Sequence, residues 1–186
     1  YIRGKANELN MRHVINTSQG TMMGPHDGTT LFEQAINNDA ANGSIIVVSA
    51  GNYRSDQLHA EAFVDPDSGV TLVFNIAAEG DISGNDIEMD IWFEMNDYLE
   101  VQVGGPNIGY QDKVSILQNR TFDTADGRIS VISELFSPLN QDNRIMIIVD
   151  NNGSEATEIN RGTWRVKLTA FPGNELPDGG EVDAWF

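Results

Sequence analysis

The run Ile45–Val48 constrains the fold of this chain more than any other stretch. Side chains alternate between the two faces of a sheet, so four consecutive β-branched residues cannot leave one face wet. The run predicts a strand buried on both faces, as in the middle of a parallel α/β sheet. Ligands meet such sheets beyond the carboxyl ends of the strands. The residues that follow the strand are small or polar and would leave space for a ligand against the backbone: Ser49, Ala50, Gly51 and Asn52.

A second strand and a helix precede this run. Residues 11–17 read as a strand, and residues 29–42 carry apolar side chains at spacings of three and four, which is typical of an amphipathic helix. We expect Asp27 or Thr29 to cap the helix, Glu33 to favour its positive end, and Gly43 to end it. Together these segments predict a right-handed β-α-β unit.

Three motifs in this order, VINTSQG, GPHDGTTLFEQAI and IIVVSAGN, resemble the middle of a subtilisin-like serine peptidase. The resemblance covers residues 11–52. It implies that one strand end lines the substrate cleft and the other forms the wall of the primary specificity pocket. By this resemblance the cleft residues are Ser18, Gln19 and Gly20, the pocket residues are Ser49, Ala50 and Gly51, and the catalytic oxyanion donor is Asn52. Gln19 departs from the apolar residue common in the family, which leaves side-chain preference open. The alternative for Asn52 is a residue that ends the strand by bonding its own backbone.

The catalytic triad of that family is absent from the chain. A subtilase needs an Asp, a His and a Ser in that order, and none of their three motifs occurs here. Asp67-Ser68-Gly69 imitates the Asp motif, but it follows Asn52 and lies in a turn that contains proline. We therefore interpret it as a turn without a catalytic role. The chain carries the oxyanion donor without the nucleophile or its base, and we expect it to be inert alone.

The three histidines form no recognisable site. His26 lies beside Asp27, the raw material of a general base, but the family resemblance makes it a loop residue. His13 is interpreted as a packed strand residue, and His59 has no evident partner. Their spacings match no zinc motif, so the predicted metal content is none.

From Asn52 onward the pattern changes to short β-rich runs separated by turn residues. Eight strands are predicted, which favours an antiparallel sandwich of the jelly-roll type. The fold class expected is an α/β fragment, residues 1–60, followed by an all-β jelly-roll-like sandwich, residues 61–186. The segments DIWFEMNDYLEVQVGGPNIG and GTWRVKLTAFPGNELPDGGEVDAWF resemble the module inserted in clostridial spore-germination subtilases. The predicted strands are residues 70–77, 87–94, 99–104, 113–117, 128–136, 144–150, 162–170 and 180–186.

Charge and cysteine content exclude several classes. The net charge of −17 argues against nucleic acid or an anionic membrane as partner, because both need a basic surface. The chain has no cysteine, which excludes disulfides and thiolate metal sites. Residues 123–127 begin like a calcium loop but lack its closing acid, so we interpret them as a solvated hairpin, with calcium binding as the alternative. No apolar run is long enough to span a bilayer.

These observations predict the central piece of a subtilisin-like serine endopeptidase. The chain begins at Tyr1, and we expect it to be part of a longer, secreted or cell-envelope protein. Its expected partners are a protein or peptide substrate, the rest of the catalytic domain, and further copies through exposed core surface. One alternative is a β-sandwich binding or adhesion module on a degenerate core, which an exposed Trp-lined face would favour. Another is a purely structural insert.

Overall fold

The computed structural model describes residues 1–52, 56–77, 86–151, 159–173 and 179–186. The backbone divides into two compact units, Tyr1–Leu58 and His59–Phe186. Among the described residues, no helix is both long and apolar enough to cross a membrane.

The described residues of the first unit form two helices and two short strands. Helix α1 spans Ile2–Glu8, strand β1 Val14–Thr17, helix α2 Leu31–Ala41 and strand β2 Ile45–Val48. The two strands pair in parallel, with Val14 opposite Ile45. They form a two-stranded sheet in which each strand has four residues.

Local hydrogen bonds and a glycine determine where helix α2 begins and ends. The side chain of Thr30 accepts a hydrogen bond from the backbone of Glu33, whose own carboxylate accepts from the backbone of Thr30, so two otherwise unpaired amides are satisfied. The cap therefore lies one residue beyond the predicted Thr29, because only Thr30 stands three residues before a Glu. Gly43 follows the helix with φ +87°, as predicted for a C′ residue.

The prediction that the Ile45–Val48 run is buried on both faces is wrong. Ile45, Val47 and Val48 are 61%, 49% and 54% exposed, and helix α2 has no buried residue. The β-branched run does form a strand, but among the described residues β1 is the only strand that pairs with it. The expected exposure of apolar core surface in this part of the chain is present.

The described residues of the second unit form nine antiparallel strands in two sheets. The three-stranded sheet has the order β4-β10-β6, and the six-stranded sheet has the order β3-β11-β5-β9-β8-β7. The strands are β3 His59–Val64, β4 Val70–Ile76, β5 Asp86–Phe93, β6 Leu99–Gly104, β7 Asn119–Thr124, β8 Gly127–Glu134, β9 Asn143–Asp150, β10 Gly162–Ala170 and β11 Gly180–Trp185.

One hydrophobic core lies between these strands. In β8 and β9 buried and half-buried residues alternate along the whole strand, so a single face of each enters the core. Trp164, on β10, is completely buried and its ring lies parallel to that of Phe74. The alternation that the sequence showed therefore marks the inner faces of a sandwich.

The predicted fold class is wrong for the chain as a whole. The structure is mostly β, with 47% strand, two short helices and three sheets among the described residues, and is a β-sandwich-like fold instead of an α/β fragment. The β-α-β segment contributes one two-stranded sheet, too small to set the class. Within the sandwich, the predicted strand at residues 113–117 is also wrong, because only Val114 makes an isolated bridge there. Strands β3 and β7 were missed.

Candidate functional site

The candidate site lies at the carboxyl ends of β1 and β2. Parallel pairing sets Thr17 opposite Val48, and the backbone amide of Ser49 then donates to the carbonyl of Thr17 at 3.1 Å. The segments that follow β1 and β2 therefore leave the sheet at the same edge. This register juxtaposes the two segments that the sequence predicted to line a cleft.

Side chains continue the contact past the last strand residues. Ser49 Oγ donates to the carbonyl oxygen of Gln19 at 3.3 Å, and Asn16 Nδ2 donates to Ser18 Oγ at 3.1 Å. Nothing lies within 4 Å of the position that a Cβ on Gly20 would occupy. Ser18, Gln19 and Gly20 are all exposed, so this strand end is accessible.

The segment after β2 is equally open. Ala50, Gly51 and Asn52 are exposed, and Gly51 has φ +79°, which a residue with a Cβ adopts only under strain. The turn at Gly51 carries the chain out of the strand immediately before Asn52. An exposed side-chain amide, that of Asn52, therefore follows four residues after the end of β2.

Sequence reasoning missed a Ser–His contact at the opposite end of the same strands. His13 Nε2 lies 2.8 Å from Ser44 Oγ, and these residues directly precede β1 and β2. Ser44 is buried, and the pair joins the amino ends of the two strands. A buried hydroxyl at the end of the sheet away from the predicted cleft fits a structural tie better than a nucleophile.

The other two histidines also contact nearby groups in a way that indicates a structural role. His26 Nε2 lies 3.1 Å from the carbonyl oxygen of Met22, within its own loop. His59 Nε2 lies 2.8 Å from Asp183 Oδ1, and its ring stacks on Trp185 with centroids 3.9 Å apart. The prediction that His59 has no partner is wrong. The partner is 124 residues away and becomes adjacent only through the pairing of β3 with β11.

The imitation of a catalytic Asp motif lies in the turn between β3 and β4, which belong to different sheets. Asp65 Oδ1 accepts from the amides of Asp67 and Ser68 and from Ser68 Oγ, and these hydrogen bonds, first that of the Ser68 amide, lower the pKa of Asp65. Gly69 has φ +71°, and a Cβ there would meet the Leu168 carbonyl oxygen at 2.2 Å. This segment is a tight turn, as the sequence indicated.

The acidic loop between β7 and β8 contains a buried carboxylate. Asp126 has no exposed surface, and it accepts from the amides of Asn107 and Ile108 at 2.7 and 3.0 Å. The side-chain amides of Asn107 and Asn160 donate to its other oxygen at 2.7 and 2.8 Å. Burial raises the pKa of Asp126, but these donors outweigh it and hold the pKa below its ordinary value. Four donors occupy both oxygens, so Asp126 fastens three loops together. No group of three or more candidate metal ligands occurs among the described residues.

The tryptophans do not form an exposed platform. Trp92 is 5% exposed and Trp164 is fully buried, while Trp185 is half-buried beneath the His59 ring. Arg144 lies over the Trp92 ring at 5.3 Å. Core packing, the default expectation for large aromatic side chains, holds for Trp164, whereas Trp92 is buried on the opposite face of β5 from the core residues Ile91 and Phe93.

Comparison with known proteins gives one kind of match. No protein-family model matches the chain, and no curated protein matches it. Among solved structures, the chain is similar to the protease CspB of Clostridium perfringens, with a TM-score of 0.78 and 23% sequence identity. The match covers 98% of this chain and 36% of that protein, so the chain spans about a third of its neighbour's length.

This likeness shows a shared fold. At 23% identity the likeness assigns no residue of the candidate site a role.

Proposed function

We propose that this chain is part of a subtilisin-like serine endopeptidase and supplies its oxyanion donor and part of its substrate cleft. The observation that carries the proposal is the register of β1 and β2, which brings Gln19 and Ser49 into contact and leaves Asn52 exposed beside them. The fold likeness to a protease is consistent with it.

In this proposal an extended peptide substrate lies along Ser18, Gln19 and Gly20 and pairs with their backbone. The substrate side chain before the scissile bond enters the space bounded by Ser49, Ala50 and Gly51. A serine outside this chain attacks the carbonyl carbon, a histidine outside it takes the proton, and the Asn52 amide donates to the oxygen that becomes negative. A donor aimed at that developing charge lowers the barrier, because it binds the transition state more strongly than the substrate.

The chain alone has no peptidase activity in this proposal. The exposed apolar residues of β1, β2 and α2 pack against the rest of the catalytic domain, which also supplies the nucleophile and base. The longer protein acts outside the cytoplasm, in the secreted or cell-envelope fraction, and needs no cofactor. The rival proposal of a glycan-binding module gains no support from the tryptophans, two of which are buried.

Labelling with a fluorophosphonate followed by intact-mass measurement tests this proposal. We expect the longer protein to gain one label and this chain to gain none. Labelling of this chain on Ser44, the serine in contact with His13, would contradict the proposal. Absence of label on both would favour a degenerate core.

A further inference from the structure

Charge is distributed unevenly between the two units. In the unit His59–Phe186, Asp and Glu number 23 and Lys and Arg number 7, whereas in Tyr1–Leu58 the numbers are 5 and 4. Because carboxylates outnumber cations in this unit, most cationic side chains are expected to form an ion pair. A pair of neighbouring cations without carboxylate partners therefore requires a reason.

Most cations of this unit have an identified partner among the described residues. Arg161 donates to the carbonyl oxygen of Ala77. The ion pairs are Lys113 with Glu100, Arg120 with Asp112, Arg128 with Asp123, and Arg144 with Asp90 and Glu134.

Arg165 and Lys167 are different. They lie two residues apart on β10, the central strand of the three-stranded sheet, and point to the outer face because Trp164, Val166 and Leu168 point into the core. No ion pair joins either of them to a described residue. Arg165 is exposed and Lys167 is half-buried.

The neighbours of these two cations on the sheet are uncharged. On one side Thr71 lies opposite Lys167 and Val73 lies opposite Arg165. On the other side the residues opposite are Gln102 and Gly104. Among the described residues of these three strands, the one carboxylate on this face is Glu100, and it is already held by Lys113 at 2.7 Å and Ser115 at 2.6 Å. The positive charge of the face is therefore not compensated locally.

The adjacent edge of the sheet is open. Within the described structure, β4 pairs with β10 on one side and with no strand on the other. Its sequence, VTLVFNI, contains no charge and no proline, the usual devices that protect an edge strand. Val73 is 62% exposed on its outer face. By contrast, the 110–114 segment covers the opposite edge of the sheet, at β6, through Gln111 and Val114.

We propose that this face binds an extended acidic segment of another polypeptide, which adds as a strand to the free edge of β4. Alternate side chains of a strand lie about 6.6 Å apart on one face. Carboxylates at every second position of the segment then match the spacing of Arg165 and Lys167 across β4, while the residues between them face the other side of the sheet, as Leu72 does on β4. Polyphosphates and anionic membranes need a broad basic surface, which two cations in a strongly acidic unit do not provide.

Fluorescence anisotropy with the full chain tests this proposal. The probe is a fluorescein-labelled peptide of about eight residues in which Glu alternates with Thr and Val, at about 0.15 M salt, where charges beyond about 8 Å are screened. The control peptide carries Gln in place of Glu. We expect saturable binding of the Glu peptide and at least fivefold weaker binding of the Gln peptide.

Two double variants with equal net charge locate the site. Arg165→Thr with Lys167→Thr removes the uncompensated cations, and we expect roughly fivefold weaker binding, since each exposed charge pair contributes about 1.4- to 5-fold. Arg120→Thr with Arg128→Thr removes two cations from the six-stranded sheet, and we expect less than a twofold change. Equal weakening by both double variants would overturn the proposal.

Amide chemical shifts measured during peptide titration provide a readout independent of the variants. We expect the shifted amides to concentrate in β4 and β10. Shifts confined to the six-stranded sheet, or binding to phosphatidylglycerol vesicles that exceeds binding to the peptide, would refute the proposed partner.

Discussion

Replacement of Asp126 should destabilise the β-sandwich unit more than any ordinary surface change. Asp126→Ala removes the acceptor of four hydrogen bonds in a site without solvent exposure. A buried donor left without a partner costs about 1–3 kcal/mol. Because contributions within one cluster are not additive, we expect the free energy of unfolding to fall by about 3–5 kcal/mol. Asp126→Asn retains one acceptor oxygen, and we expect about 1–3 kcal/mol.

Urea denaturation followed by tryptophan fluorescence measures this loss. All three tryptophans belong to this unit, and Trp164 Nε1 donates to the carbonyl of Asn160, whose side chain binds Asp126. The matched control is Asp123→Asn in the same hairpin, which removes an exposed ion pair with Arg128. Exposed pairs contribute about 0–1 kcal/mol, so the control should move the midpoint little.

The same substitution predicts a dependence on pH. The pKa of Asp126 is lowered in the folded protein, so its ionised form stabilises the fold above the ordinary pKa near 4. That contribution is lost as the pH falls through the folded-state pKa. The difference between wild type and Asp126→Asn should stay constant from pH 7 to pH 5 and shrink in stronger acid. A loss no larger than that of the control, or a difference that grows in acid, would refute the reasoning.

Three further predictions concern local structure. Gly69→Ala adds a Cβ at φ +71° and 2.2 Å from the Leu168 carbonyl, so urea denaturation should show a loss of about 2 kcal/mol or more; an unchanged midpoint would contradict this. Thr30→Ala removes the helix cap, and we expect a loss of about 1 kcal/mol, seen as faster hydrogen exchange in α2 but not in the sandwich. Burial raises the pKa of Glu100, but hydrogen bonds from Lys113 and Ser115 lower it by more than burial raises it. Wild type should therefore lose its stability advantage over Glu100→Gln as the pH falls through that lowered pKa. An advantage that persists in strong acid would exclude this cause.

Much of the sandwich could be predicted from the sequence, because alternation records which face of a strand is buried. The bounds of β6 and β10 agree with the prediction at both ends. Strand β7, with the sequence NRTFDT, was missed because it is an edge strand whose residues, except Thr124, are not buried. Its partner β8 supplies the pairing that its own composition does not indicate.

The Ile45–Val48 run shows the opposite kind of failure. Its apolar β-branched residues correctly predicted a strand, but burial depends on which other elements surround it. The apolar composition of the run indicates that the strand needs neighbours to cover both of its faces. Its exposure shows that the described residues of this chain do not supply them. The prediction of a strand over Ile45–Val48 was therefore right, although the prediction of its burial was wrong.

The candidate site was partly within reach of the sequence. The parallel pairing that brings Gln19 to Ser49 follows from the predicted β-α-β order, so their contact could be expected. The contacts of His13 with Ser44 and of His59 with Asp183 could not, because each depends on strand register across many residues. That Arg165 and Lys167 form no ion pair with a described residue could not be predicted either, since it depends on where every nearby carboxylate lies.

The central claim is that Asn52 stabilises the oxyanion in a longer serine endopeptidase. The direct test is the steady-state kinetics of that longer protein with Asn52→Ala, beside Asn42→Ala, which changes an exposed amide after α2. We predict that kcat falls roughly 100- to 1,000-fold for Asn52→Ala, the loss known for the corresponding donor of subtilisin, with little change in KM. Asn42→Ala should leave both parameters unchanged. An unchanged kcat for Asn52→Ala, in a protein that is still labelled by a fluorophosphonate, would contradict the claim.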